Sequence, residues 1–325
     1  MNTRGDLQGA LEKLKALSDI EVDACDAQLC LASITNQDVP LLQRVQVSQV
    51  VQGEFKAIAA NMVAEIKRNL GASEITLYKY DPLSKLDSHE VEYLNLSEHS
   101  AVKGQVAVSR SPLDMDLFSA NEQFIEGLRF YAIILHPDGI EPVILFRTYS
   151  HSKELTRSSK LAILFENGQY DKIEDPVFVF DHQIDCIATG DSLFIFRKHN
   201  FQQIFRFYEM VEAAAKVTLQ VIKKHIPIEN FEAFEESCHK HKQKLAKLKN
   251  IANKPYLNSL TIKHLKKVIK HHRLPIATTG TGKNEKIVFE ASDKWAILRL
   301  LDDDYLDSYM TGIKYEVNSK RVQAS

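Results

Sequence analysis

Residues 130–149 read Phe130-Tyr-Ala-Ile-Ile-Leu135-His-Pro137-Asp-Gly139-Ile-Glu-Pro142-Val-Ile-Leu-Phe-Arg147-Thr-Tyr149. Two apolar runs, Phe130–Leu135 and Pro142–Tyr149, flank His136-Pro137-Asp138-Gly139. Pro-Asp-Gly suits the positive φ of a tight turn, so this stretch predicts an antiparallel hairpin. The same grammar recurs downstream. Leu161–Phe165 and Tyr170–Ile173 flank Glu166-Asn167-Gly168, and Ile184–Ala188 and Ser192–Arg197 flank Thr189-Gly190-Asp191. Successive hairpins without a crossover helix predict an antiparallel sheet.

Working outward, residues 1–125 read as a mixed N-terminal region. Leu7, Leu11, Leu14 and Leu17 share a helical face, and Val47–Leu70 repeats apolar residues at helical intervals before Gly71, the expected C′ position. Ser73–Tyr80 alternates like a strand until Asp81-Pro82, with further short strands expected at Val91–Leu96 and Gln105–Val108. Residues 126–225 combine the antiparallel sheet with a long helix, Phe201–His225. Residues 226–325 read as a basic helical region. A helix capped by Asn230 runs to about Ala252, Leu260–His272 forms another, Lys286–Phe289 a strand, and Asp293–Met310 a closing helix. The fold class predicted is α+β, and the helix, helix, loop, strand order loosely resembles a winged-helix arrangement.

The chain has 325 residues, with 41 Lys+Arg against 43 Asp+Glu. This is the composition of a soluble globular protein of two or three units, and it excludes disordered and collagen-like classes. The net charge of −2 conceals a strong asymmetry. Residues 216–286 hold 16 Lys/Arg against 5 Asp/Glu, a local +11, leaving 25 against 38, or −13, elsewhere. A basic segment on an acidic body points to a polyanionic partner. The four cysteines form no CxxC pair, which argues against both a disulfide framework and a zinc ribbon and fits a reducing cytoplasm. No window approaches the roughly 20 apolar residues of a membrane span, and the first residues lack a signal-peptide core. Membrane association is therefore expected through a partner.

Within the basic window, Lys240, Lys242, Lys244, Lys247 and Lys249 fall on one predicted helix. Lys263, Lys266, Lys267, Lys270 and Arg273 fall on the next, with Lys283 and Lys286 beyond. At 100° per residue Lys263, Lys266, Lys267 and Lys270 share a face, and Leu260, Leu265, Val268 and Ile269 lie mostly on another. Lysine supplies a mobile point charge and lacks the planar fork that reads guanine, so the expected contact is with phosphates and is independent of sequence.

Other motifs fail chemically. Ala277-Thr-Thr-Gly280-Thr-Gly282-Lys283-Asn284 imitates a phosphate-binding loop, but Ala277 replaces the first glycine and Asn284 the magnesium-binding hydroxyl. The acidic cluster Asp302-Asp303-Asp304 has no (Asp/Glu)-x-Lys strand to complete a two-metal nuclease, and is expected to surround a helix turn or face solvent. Cys238, His239 and His241, and the pair His271-His272, lack the spacing of a tetrahedral site, because neighbours on a helix point apart. No metal, no cofactor and no catalytic residue is expected.

Pro142–Tyr149 onward through Phe165, Tyr170-Asp-Lys-Ile173, Val177–Asp181, Asp185-Cys-Ile187 and Leu193–Phe196, together with the closing run Leu301–Tyr315, resembles the KwaB family. That family is the soluble component of the Kiwa bacterial anti-phage defence system. The resemblance implies a cytoplasmic protein, peripheral at the inner membrane through the multi-pass protein KwaA. It also implies binding of phage DNA and self-association as a dimer or higher oligomer. Arg147, Lys153, Arg197 and Lys198 lie in the matching segment and are expected either to supplement the basic helices or to solubilise strand edges. The expected action is occupancy of DNA that blocks its replication or transcription. A metal-dependent nuclease built on Asp302–Asp304, or a scaffold binding the membrane partner or anionic lipid, is the alternative.

Overall fold

A computed structural model describes residues 3–34, 40–72, 74–119, 122–149, 163–166, 169–172, 177–252, 254, 256–290, 295–317 and 320. They divide into two compact units. One comprises the described residues up to 79 and from 86 to 205, the other Tyr80–Lys85 and the described residues from 206 to 320.

The first unit is built on an eight-stranded sheet ordered β2-β1-β5-β6-β9-β10-β4-β3. Its strands are β1 (Asp26–Ser33), β2 (Leu41–Val45), β3 (Thr76–Lys79), β4 (Glu90–Asn95), β5 (Leu128–His136), β6 (Val143–Thr148), β9 (Cys186–Thr189) and β10 (Ser192–Ile195). A separate hairpin pairs β7 (Ile163–Glu166) with β8 (Gln169–Lys172). The hairpins read from sequence are present. β5 and β6 register Ile134 on Ile144, and Gly139 (φ 70°) and Gly190 (φ 50°) occupy the turn positions that only glycine adopts readily. The sheet is antiparallel except for β3, which runs parallel to β4 at the edge.

β5 is buried on both faces, which explains its continuous apolar run. Against one face lie α1 (Thr3–Ser18), through Leu7 and Leu14, and α2 (Gln49–Gly71), through Phe55, Ile58 and Ile66. On the opposite face Phe146 packs edge-on against Phe130 and against Phe205, which directly follows α5 (Lys198–Ile204). Ser48 caps α2 by accepting from the Val51 amide, and Gly71 is its last residue, with Ala72 as the C-cap. Two short helices, α3 (Ser100–Ser109) and α4 (Glu122–Glu126), complete the unit. The strand expected at Gln105–Val108 is the end of α3, where Val102 and Val106, one turn apart, are both buried.

The second unit is mainly helical: α6 (Phe207–His225), α7 (Phe231–His239), α8 (Lys242–Ala252), α9 (Ile262–His272) and α10 (Ala296–Leu301). A small sheet ordered β11-β13-β12 joins β11 (Ile228–Glu229), β12 (Thr278–Thr279) and β13 (Lys286–Val288), and β14 (Tyr305–Asp307) pairs with β15 (Lys314–Glu316). Three expected helices differ here. Phe201–His225 is interrupted at Arg206, which adopts the left-handed conformation (φ 47°). The helix expected from Asn230 to Ala252 breaks at Lys240-His241, and Asn230 itself is left-handed (φ 60°) with no side-chain cap. The closing helix stops at Leu301 because Asp303 (φ 60°) turns the chain into the β14–β15 hairpin.

Candidate nucleic-acid interface

Helix α9 begins where the Thr261 side chain accepts a hydrogen bond from the His264 amide. It ends at Arg273, whose left-handed φ of 56° turns the chain so that the Leu274 amide donates to the Ile269 carbonyl at 2.9 Å, while its own amide donates back to Lys270. Leu265 is buried and Ile262, Val268 and Ile269 are half-buried, so this stripe packs. Lys263, Lys266, Lys267, Lys270 and Arg273 are exposed. Lys266 is ion-paired with Glu285. Among the described residues, none lies within ion-pair distance of Lys263, Lys267 or Lys270. The result is an ammonium row along one side of the helix, with Lys270 and Arg273 at the C-terminal end, where the helix dipole favours cations.

The remaining sequence-selected cations divide sharply. Lys240 is exposed and 2.8 Å from Glu236, and Lys286 is exposed on β13. The side chains of Lys242 and Lys283 lie outside the described ones. Lys244 and Lys247, expected on the solvent side, are each only 1% exposed. Helical geometry explains this. Positions 244, 247, 248 and 251 share one face of α8, and Leu248 and Ile251 make that face the buried one. Lys244 donates to Ser237 Oγ with its ammonium 5.9 Å from the Trp295 ring centroid, and these two lysines have no access to a phosphate. Lys249 is half-buried over the Phe207 ring, 4.1 Å from its centroid, and burial brings its pKa down to about 8.

Lys247 explains the acidic cluster. Its ammonium pairs with both Asp302 (2.5 Å) and Asp304. Lys254 reaches Asp302 at 3.2 Å and Lys320 reaches Asp304 at 3.2 Å, and Lys320 also donates to the carbonyls of Asp302 and Asp303. Asp302 and Asp304 are buried rather than solvent-facing, as a lone acidic run had suggested, and only Asp303 is exposed. Burial raises the Asp304 carboxyl above its ordinary range, while Lys247 opposes the shift. Ammonium groups of Lys247, Lys254 and Lys320 are thus the counterions of this buried carboxylate pair.

The first unit has its own charge network. The Arg147 fork spans Asp181 (Nε to Oδ1 2.9 Å, Nη2 to Oδ2 2.6 Å) and reaches Asp185 at 2.5 Å. Asp185, fully buried, also accepts from the Thr148 amide and hydroxyl and from Asn200. Lys198 is 2.6 Å from the buried Glu92. Arg147 and Lys198 are thus held inside their own unit rather than joining a basic surface. Arg197 is exposed, and Lys153 lies outside the described residues. All four cysteines are buried and free, and burial lifts the Cys30 thiol to about 12.

The architecture defines an α+β protein whose mainly helical unit carries an exposed lysine helix. The model of the Kiwa protein KwaB-like family matches residues 128–311, more than half of the chain, and the chain belongs to that family. Kiwa protein KwaB of Escherichia coli O55:H7 (strain RM12579 / EPEC) is 21% identical over 217 residues, covering 64% of this chain and 67% of that protein. No solved structure matches. Family membership supports a role in anti-phage defence.

Proposed function

We propose that the protein acts in defence by holding DNA through its phosphate backbone, largely regardless of sequence, on the exposed cationic side of α9. The observation that carries this reading is the solvent-facing row Lys263, Lys267, Lys270 and Arg273, opposite the packed Leu265 stripe. Lysine-dominated contact supplies affinity without base readout. The β12–β13 pair that follows α9 adds exposed Lys286. Occupancy of phage DNA then obstructs replication or transcription, and the lysine-filled aspartate cluster favours this over hydrolysis. No helix among the described residues is long and apolar enough to cross a membrane. Contact with the membrane in this reading therefore passes through a KwaA-like partner, with the protein self-associated as a dimer or higher oligomer.

Fluorescence anisotropy with several unrelated duplexes at low salt tests the proposal. Similar affinities are expected for all of them, together with a large loss in a Lys263→Glu/Lys267→Glu/Lys270→Glu protein. Absence of binding at low salt, or unchanged affinity in that protein, overturns it.

A further inference from the structure

The last turn of α9 carries a second feature, independent of the DNA reading. His271 and His272 are neighbours, yet their rings meet edge to face with centroids 4.8 Å apart, and the chain returns through β14 to set Asp307 against both. His271 Nε2 is 2.6 Å from Asp307 Oδ2, and His272 Nδ1 is 4.0 Å from Asp307 Oδ1. All three potential ligand atoms lie within 4.8 Å of one another, and among the described residues this is the one such group of three. The Tyr305 ring packs against the His272 ring at 5.8 Å, and Lys314 donates to the His271 carbonyl. Both contacts hold the histidines and the hairpin in register.

We propose that His271, His272 and Asp307 bind a divalent transition-metal ion of the zinc class. Two imidazoles and one carboxylate are the donor set that zinc and its neighbours favour, at about 2.0–2.2 Å from each donor atom. Ligand atoms around a tetrahedral ion at those lengths stand about 3.4 Å apart. The observed 2.6 and 4.0 Å bracket that spacing and the third pair lies within 4.8 Å, so side-chain rotations that shift the donor atoms by about 1 Å seat the ion. On binding, His271 Nε2 presents its lone pair to the metal, any proton it held toward Asp307 moving to Nδ1 or to solvent, and the metal joins the two donors in its place. The exposure of His271 and Asp307 leaves the fourth position to water. The ion would tie the β14–β15 hairpin to the end of α9.

Untagged full-length protein, stripped with chelator and titrated with Co²⁺ and then Zn²⁺, provides the test. Expected are one saturable site per chain, visible d–d absorption of four- or five-coordinate Co²⁺, displacement by Zn²⁺ but not by Mg²⁺, and affinity weakened roughly tenfold or more in His271→Ala and Asp307→Asn. Zn²⁺ should also slow modification of His271 and His272 by diethyl pyrocarbonate in the unaltered protein, a readout that needs no variant. Absence of saturable binding, binding unchanged in both variants, or no protection of these histidines overturns the assignment.

Discussion

Replacing Arg147 with Met removes a guanidinium that contacts two carboxylates while preserving most of the side-chain volume. Asp185 is fully buried and Arg147 supplies its 2.5 Å ionic contact, so the variant leaves a buried carboxylate whose remaining countercharge is the exposed Arg197, 3.9 Å away. Removing one partner of a buried pair costs about 3–5 kcal/mol. Thr148 and Asn200 still donate to Asp185 and Asp181 remains partly exposed, which places this case near the lower end, about 3 kcal/mol. With a urea dependence of about 1–3 kcal/mol per molar, the midpoint should fall by about 1–3 M in unfolding followed by far-UV circular dichroism. Arg147→Lys keeps the charge but loses the bidentate fork on Asp181 and should fall between. DNA affinity of the folded fraction should not change. A negligible midpoint shift, or weaker DNA binding at unchanged stability, would refute the assignment of Arg147 to the interior of its unit.

Three further outcomes follow from the second unit. Lys247→Met strands Asp302 and Asp304 with, among the described residues, Lys254 and Lys320 as their remaining ion-pair partners, and should destabilise by about 3 kcal/mol, read by Trp295 fluorescence in urea, whereas Lys267→Met should cost under about 0.5 kcal/mol. Lys249 has a folded-state pKa near 8, below its ordinary 10.5, so the folded state binds fewer protons than the unfolded chain between those values and its contribution to stability improves as pH rises through that window. Lys249→Met should therefore flatten this rise, with stability gaining less between pH 7 and pH 10 than in the unaltered protein in parallel urea titrations. At Gly280 (φ 77°) an added Cβ would lie 2.3 Å from the Asn284 carbonyl oxygen, so Gly280→Ala should lower stability by more than about 1 kcal/mol in the same assay.

The hairpins of the sheet were legible because Pro137-Asp138-Gly139 and Gly190 encode their turns locally and the flanking runs are long. Strand β1, next to the sheet edge, was not, since Asp-Ala-Gln-Leu-Cys-Leu-Ala-Ser alternates only over its first four residues and lacks flanking turn chemistry, and its place beside β5 is set by pairing partners about a hundred residues away. The break at Arg206 had no signal, as arginine carries no preference for the left-handed conformation it adopts there. Within the candidate interface, α9 was readable because its apolar and basic positions separate by angle. α8 misled because two of its lysines fall on the apolar face: the carboxylates that make this tolerable for Lys247 come from residues 302 and 304, and Lys244 finds Ser237 and the Trp295 ring. The convergence of Asp307 on His271 and His272 likewise depends on a chain reversal at Asp303 that periodicity does not reveal.

If α9 holds DNA by its phosphates as proposed, salt dependence counts those contacts directly. Binding to one duplex should weaken linearly on a log–log plot against salt, and the slope should become shallower by about 0.9 for each contacting lysine removed, or about 3 for Lys263→Gln/Lys267→Gln/Lys270→Gln. A slope identical in the two proteins would contradict the account.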